Sequence, residues 1–402
     1  MFEVRHGWRP RPDSDYCPFA WINRNSRHII AAMCTTDADR ADQQPESTGK
    51  GAPSGQPLPS KPASGLCRRI AGRLALLIVS VAICIAGAEL VFRFFGMANP
   101  VLYREHPQCG YEPAPNQISH RLGIAVHIND LGLRDDEKSS AWHDAKRILV
   151  VGDSVTFGGS RVRQQDLFTE VLERKINSSN RVPIKVLNAG VNGYSVTQML
   201  NRAKTLIPIV KPDYLIVYAI EDDFHRPPLT FLADGNFVYP TRKPVSALGQ
   251  FILLSVHHLD KRYGFLKRLP QKVSRIWERP RNRDAPYETN RVVDIHLEAI
   301  ADFVRNSWES TGHPKENMMI CIAPTVSALN ANGAPQQSSI STMLARSNLP
   351  VLDLTADFHR AISKPGTDTR RYFWDEVHYV EKGHALAAEI LFQHILQAGW
   401  IK

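Results

Sequence analysis

Paired cysteines are what this chain most clearly lacks. Its 402 residues include six, Cys17, Cys34, Cys67, Cys84, Cys109 and Cys321, none in a CxxC pair or at zinc-finger spacing, so neither a disulfide framework nor a cysteine metal centre is supported. Cys321 falls inside the apolar run Met318–Ala323, where it reads as a small buried residue. A phosphate cradle is excluded in the same way, because Gly152 to Gly159 carries no Gly-Lys-Ser/Thr. Nor is there a nucleic-acid motif: the formal charge is +9 and its basic residues are not gathered into one block. Asp222, Asp223 and His225 come nearest to a metal set, but another role explains them better below. No metal, cofactor or nucleic-acid partner is expected.

With 43% apolar residues the chain can build a real core, and its first hundred residues already divide into distinct regions. Residues 1–66 mix charges with prolines and, from Gln43 to Gly65, run rich in Pro, Gly and Ser without periodicity, which is the composition of a disordered tail or linker. An over-extended gene start, with Met33 as an internal alternative, would give the same stretch. From Leu74 to Ala88 every residue is apolar or small. Glu89 and Arg93 follow, four apart on one helical face, where they can pair and reach an interface. One transmembrane helix is therefore expected over 72–95. A buried core helix is the alternative, but nothing before it could bury it. A cleaved signal peptide is the other, and no clean small-x-small site follows the run. Arg68, Arg69 and Arg73 just before the run predict a cytoplasmic N-terminus and an extracytoplasmic remainder, periplasmic in a Gram-negative cell.

After a proline-containing connector at 97–146, apolar strand patterns alternate with helical ones. Strands are expected at 147–152, 184–187, 214–220, 318–323 and 351–354. Helices are expected at 165–177, 196–210, 289–309, ending at Arg346, and at 381–398. Five strands each followed by helical material imply an α/β fold, a three-layer α/β/α parallel sheet. The rhythm breaks at 225–286, an insertion mixing Lys261, Arg262, Lys267, Arg268 and further arginines with Phe251, Ile252, Leu253 and Leu254. Such a segment could cover the site, bind an anionic substrate or lie on lipid headgroups, or simply be a solvated helical face.

The chemistry gathers at strand ends. Ile148 to Val151 reads as a strand buried on both faces, running into Gly152-Asp153-Ser154 at the carboxyl edge where parallel sheets bind ligands. A serine there becomes a nucleophile only if a base takes its proton. Asp375-Glu-Val-His378 supplies one: His378 as base, with Asp375 three residues earlier to orient it. His257 and His258 read as surface residues, and His384 as structural.

Four blocks in order, Gly152-Asp-Ser-Val-Thr-Phe-Gly158, Asn188-Ala-Gly-Val-Asn-Gly193, the acidic strand end Glu221-Asp-Asp223, and Asp375-x-x-His378, resemble the SGNH (GDSL-like) hydrolase family over about residues 147–398. The apolar helix ending in Glu89–Arg93 and the approach Ile128-Asn-x-x-Gly-Leu-Arg134 look like its membrane-anchored bacterial members. The resemblance implies a flavodoxin-like sheet, ester hydrolysis or acyl transfer, and a catalytic set of Ser154, Asp375 and His378. It also implies an oxyanion hole made by the N–H groups of Ser154 and Gly193 and by a side chain at position 222. There the chain departs from the pattern, since Asp222 stands where the family has asparagine. An ionised carboxylate has no proton to donate and repels the developing charge. It would donate only if burial and its neighbours kept it protonated. Three readings stay open: an esterase with an altered hole acting on an acyl ester of a cell-surface carbohydrate or lipid, an O-acyltransferase of envelope polysaccharide, or a noncatalytic envelope component.

Overall fold

The structure is a computed structural model that describes residues 64–121, 123–136, 141–179, 182–227, 239–263, 289–330, 334–347, 349–362 and 368–401. The tail expected at 1–66 lies outside them except for its last residues, as do 228–238 and 264–288 of the insertion. The chain divides into two compact units that part between Ala88 and Glu89.

The described residues of the first unit belong to a helix, α1, Ser64–Phe94. Its stretch from Arg68 to Phe94 has a mean hydropathy of 2.6 over its apolar window, none of it buried, and is long and apolar enough to cross a membrane. The helix starts about two turns before the expected residue 72, because Ser64–Gly72 contains no proline to stop it.

The second unit opens with two antiparallel hairpins, β1 (Tyr103–His106) with β2 (Gly110–Pro113), and β3 (Gln117–Arg121) with β4 (Ile124–Ile128). A short helix α2 (Ala141–Asp144) leads to β5 (Lys146–Gly152), α3 (Ser154–Phe157), α4 (Phe168–Ser179), β6 (Ile184–Asn188), α5 (Val196–Val210) and β7 (Tyr214–Ile220). Then come α6 (Ala247–Tyr263), α7 (Thr289–Phe303), β8 (Met318–Ala323), α8 (Val326–Leu329), α9 (Ser339–Arg346), β9 (Val351–Asp353), α10 (Thr355–Ile362) and α11 (Glu381–Gln397). Strands β5 to β9 form one parallel sheet in the order β6-β5-β7-β8-β9. Counted from β5 this is the doubly wound 2-1-3-4-5 order, whose switch point lies between the first and third strands.

Both faces of the sheet are covered, so its strands are apolar almost without interruption. Leu149, Val151, Leu187, Val217 and Ile320 pack on one face with Met199, Leu200 and Ala203 of α5 and Phe303 of α7. Ile148, Val150, Val186, Ile216 and Cys321 pack on the other with Phe168 and Leu172 of α4, Phe358 of α10 and Leu391 of α11. Residues 97–146 are more than a tether: Tyr103, Tyr111, Val126, Ile128 and Leu133 join the first of these clusters, and Glu112 of β2 pairs with buried Arg202 of α5 at 2.5 Å.

Two expected helices end differently. The helix expected from Gln165 starts at Phe168, because Gln164–Asp166 closes a separate 3₁₀ turn. The long helix expected to Glu309 widens into a π turn at Val304–Trp308, where Trp308 is fully buried and its indole N–H donates to Pro314 O at 3.0 Å.

Candidate active site

Strand β5 delivers Ser154 to the carboxyl edge beside the switch point. Gly152 is required there: a Cβ would overlap the Thr156 hydroxyl and lie 2.5 Å from Tyr218 O. Asp153 then caps α3, its Oδ1 accepting the Val155 N–H at 2.8 Å. This leaves the Ser154 side chain at the first position of the helix, free to face the loop that carries His378.

Ser154 Oγ lies 2.8 Å from Nε2 of His378, although 224 positions separate them in the chain. On the other side of the imidazole, Nδ1 is 2.7 Å from Oδ2 of Asp375. Asp375 Oδ1 accepts the N–H groups of Val377 at 3.0 Å and His378 at 2.8 Å, so one short loop sets the carboxylate and the ring together. Burial raises the Asp375 carboxyl, but the hydrogen bond and charge of His378 and the two N–H donors outweigh it, leaving it below its ordinary value. The sequence reasoning singled out these three side chains, and the fold brings them together. Ser154 Oγ is also 3.3 Å from Asp153 Oδ2, a longer contact than that to the imidazole.

The second block approaches the same turn. Asn188, fully buried at the end of β6, donates from Nδ2 to Thr156 O at 2.8 Å and accepts the Gly190 N–H at 3.0 Å. Gly190 presses so closely on α3 that a Cβ would lie 2.5 Å from Phe157 N. Gly193 follows with φ +77°, a left-handed conformation suited to glycine. The N–H groups of Ser154 and Gly193 have no acceptor among the described residues. The first hairpin braces this loop, Tyr111 donating to Asn192 O at 2.7 Å and Asn192 Nδ2 to the Tyr103 hydroxyl at 2.9 Å.

The third block does not meet the condition set for it. Asp222 is exposed in the 3₁₀ turn Glu221–Phe224, not buried. Burial falls instead on Asp223, whose carboxyl is pushed up by desolvation and by Asp153 against the pull of Arg226. Asp223 accepts the Ile220 N–H at 3.0 Å and pairs with Arg226 at 3.0 Å. Among the described residues no cluster of three His, Cys, Asp or Glu side chains is placed to hold a metal ion.

Sequence reasoning missed the supports. Trp374 stacks on the His378 ring, centroids 5.1 Å apart and planes 20° from parallel, and the Arg161 guanidinium lies 4.1 Å from the centre of the Trp374 ring. The only sequence signal was an aromatic next to Asp375; Arg161 had none. Fully buried Arg134 donates to Phe157 O, to Gly159 O at 2.5 Å and to Val162 O at 2.7 Å, gathering the carbonyls that follow the serine helix. Arg134 closes the approach block Ile128-Asn-x-x-Gly-Leu-Arg134, and its role as a carbonyl donor is visible only in the fold. His384 is buried, with Nδ1 accepting the Phe168 N–H at 3.2 Å, a structural role.

No protein-family model and no curated protein matches the chain. Solved structures similar to it include the lipase/acylhydrolase from Enterococcus faecalis, at 18% identity over 64% of this chain and 97% of that one, with a TM-score of 0.35. A two-domain esterase active on acetylated mannans is 16% identical over 64% of this chain and 51% of its own length, with a TM-score of 0.38. A catalytic mutant of an acetylxylan esterase from Geobacillus stearothermophilus is 15% identical over 64% and 96%, with a TM-score of 0.37. The 2-1-3-4-5 parallel sheet with helices on both faces is a flavodoxin-like α/β/α fold, the one the sequence resemblance implies.

Proposed function

We propose that this chain is a membrane-anchored serine ester hydrolase that uses Ser154, His378 and Asp375 on an acyl ester of a cell-surface carbohydrate or a lipid. The observation that carries the reading is the pair of contacts on one imidazole, 2.8 Å to Ser154 Oγ and 2.7 Å to Asp375 Oδ2. With the Nδ1–H donating to Asp375, Nε2 is left as the acceptor for the Ser154 proton. The serine oxygen attacks the acyl carbon while His378 takes that proton. The carbonyl oxygen becomes an oxyanion facing the N–H groups of Ser154 and Gly193. Collapse breaks the ester C–O bond, His378 returns the proton to the departing alcohol, and an acyl-serine remains. Water, deprotonated by the same imidazole, then releases the acid and restores the serine.

The location reading is supported by α1 and by Arg68, Arg69 and Arg73 at its N-terminal end, which favour a cytoplasmic N-terminus and a catalytic unit on the other side. Asp222 favours a second reading, in which hydrolysis is weak and an alcohol other than water accepts the acyl group, or turnover has been lost, because an exposed carboxylate replaces a neutral donor. A fluorophosphonate probe applied to the full chain in membranes tests the proposal. Labelling should occur and vanish in both Ser154→Ala and His378→Ala; folded protein that takes up no label refutes it. Acyl product accumulating on an added sugar faster than free acid would identify the transferase.

A further inference from the structure

The helix α6 in the insertion opens with an apolar stretch, Ala247–Val256, before its charged end. Along α6, Ala247, Gln250, Phe251 and Leu254 recur at helical spacing and face inward, where Ala247 packs with Met97 and Ala98, and Phe251 and Leu254 lie against that cluster. Phe251 stacks on Phe92 of α1 at 4.2 Å. The opposite side is apolar too: Ile252 is 50% exposed, Leu253 41% and Leu259 46%, with Val245, just before the helix, at 92%. An exposed apolar face on a helix that ends in His257, His258, Asp260, Lys261 and Arg262 is the pattern of an interfacial helix.

What covers the outer side is indicated by where α6 is fastened. Glu89, in the last turns of α1, caps the N-terminus of α6: its carboxylate accepts the N–H groups of Ala247 at 2.9 Å and Leu248 at 3.0 Å and the Ser246 hydroxyl at 2.8 Å. Arg93, one turn on, pairs with Glu89 at 2.7 Å and donates to Val245 O at 2.5 Å. The two charges expected to pair and reach an interface thus also hold a second helix against the last turn of α1. Phe94 and Phe95, where α1 ends, are themselves 86% and 47% exposed. Within this unit, exposed apolar surface at Phe94 and Phe95 therefore adjoins α6 through Phe92 and Phe251.

We infer that α6 lies in the lipid–water interface, its Ile252, Leu253 and Leu259 side immersed in the same bilayer that α1 crosses, making a second membrane contact for the catalytic unit. This rests on the reading of α1 as a membrane span. It implies that the site works at a fixed height above the lipid rather than on a loose tether.

The test is photo-crosslinking of the full chain in phosphatidylcholine–phosphatidylglycerol vesicles, with p-benzoylphenylalanine placed singly at Leu253, at Ile83 within α1, or at exposed Ile118 of β3. Lipid adducts at Ile83 and Leu253 but not at Ile118 support the inference. An adduct at Ile83 with none at Leu253 overturns it while leaving the span intact, and no adduct at Ile83 overturns both. A protein adduct at Leu253, or equal lipid labelling at Ile118, also overturns it. In a Glu89→Ala background the Leu253 adduct should fall several-fold while that at Ile83 is unchanged; a Leu253 yield unaffected by losing the cap refutes the fastening.

Discussion

Replacing Asp375 with asparagine removes no atom from the triad and should still disable it. The side chain has two distinct tasks, Oδ1 accepting two backbone N–H groups at 3.0 and 2.8 Å and Oδ2 accepting the His378 Nδ1–H at 2.7 Å. An asparagine must keep its carbonyl oxygen toward the two N–H donors, which turns its NH₂ toward Nδ1. That ring nitrogen then becomes an acceptor, the imidazole proton moves to Nε2, and the base site facing Ser154 at 2.8 Å is lost. The expected fall in kcat/KM is about 10⁴-fold, the cost of holding a triad histidine in the wrong tautomer. Stability should fall by only about 1 kcal/mol, since the hydrogen bonds persist without their full charge assistance. Because the folded state holds the Asp375 carboxyl below its ordinary value, that contribution is present above the unfolded pKa and disappears as pH falls through the folded one. The difference between wild type and Asp375→Asn should thus vanish in strong acid. Hydrolysis of a chromogenic short-chain ester and the rate of fluorophosphonate labelling are the assays. Asp375→Asn protein retaining activity within about tenfold of wild type would refute the tautomer argument.

Other perturbations test the surroundings. Asp222→Asn should raise ester turnover, by at most the roughly 10²- to 10³-fold that one oxyanion donor supplies; an unchanged rate would mean that residue 222 does not face the oxyanion. Glu170 is raised to about 7, by burial first and then by the charge of Asp135, and has an unpartnered buried oxygen. The folded chain therefore holds a proton that the unfolded chain releases between its ordinary value near 4.5 and about 7, so stability declines as pH rises through that window. Glu170→Gln should flatten the decline, stabilise by on the order of 1–3 kcal/mol at pH 8 and give nothing at pH 4, as read by thermal melts of the full chain in detergent. Arg134→Met leaves three carbonyls beside the serine helix without their donor; it should cost about 3 kcal/mol in denaturant unfolding and lower kcat more than it changes KM.

The strands were legible because a sheet covered on both faces must be apolar at every position: the expected 214–220 and 318–323 coincide with β7 and β8. Element ends were less so, since the 3₁₀ turn before α4 and the π turn after α7 depend on what they pack against. The insertion reads as a break in rhythm with several roles open to it, lying on lipid among them, and only the clasp of α6 by Glu89 favours one.

Local chemistry alone was enough to name an alcohol, an imidazole and a carboxylate as partners, since Gly-Asp-Ser at a strand end and Asp-x-x-His in a loop each constrain backbone and side chain within a few residues. An apolar run preceded by arginines was likewise readable without coordinates. Tertiary structure decided the rest: that Ser154 and His378, 224 positions apart, come to 2.8 Å, that Asp223 rather than Asp222 is the buried acid, and that Arg134, Trp374 and the first hairpin hold the site's loops. Such contacts join residues far apart in the chain, and only the packing of helices on both faces of one sheet brings them into reach.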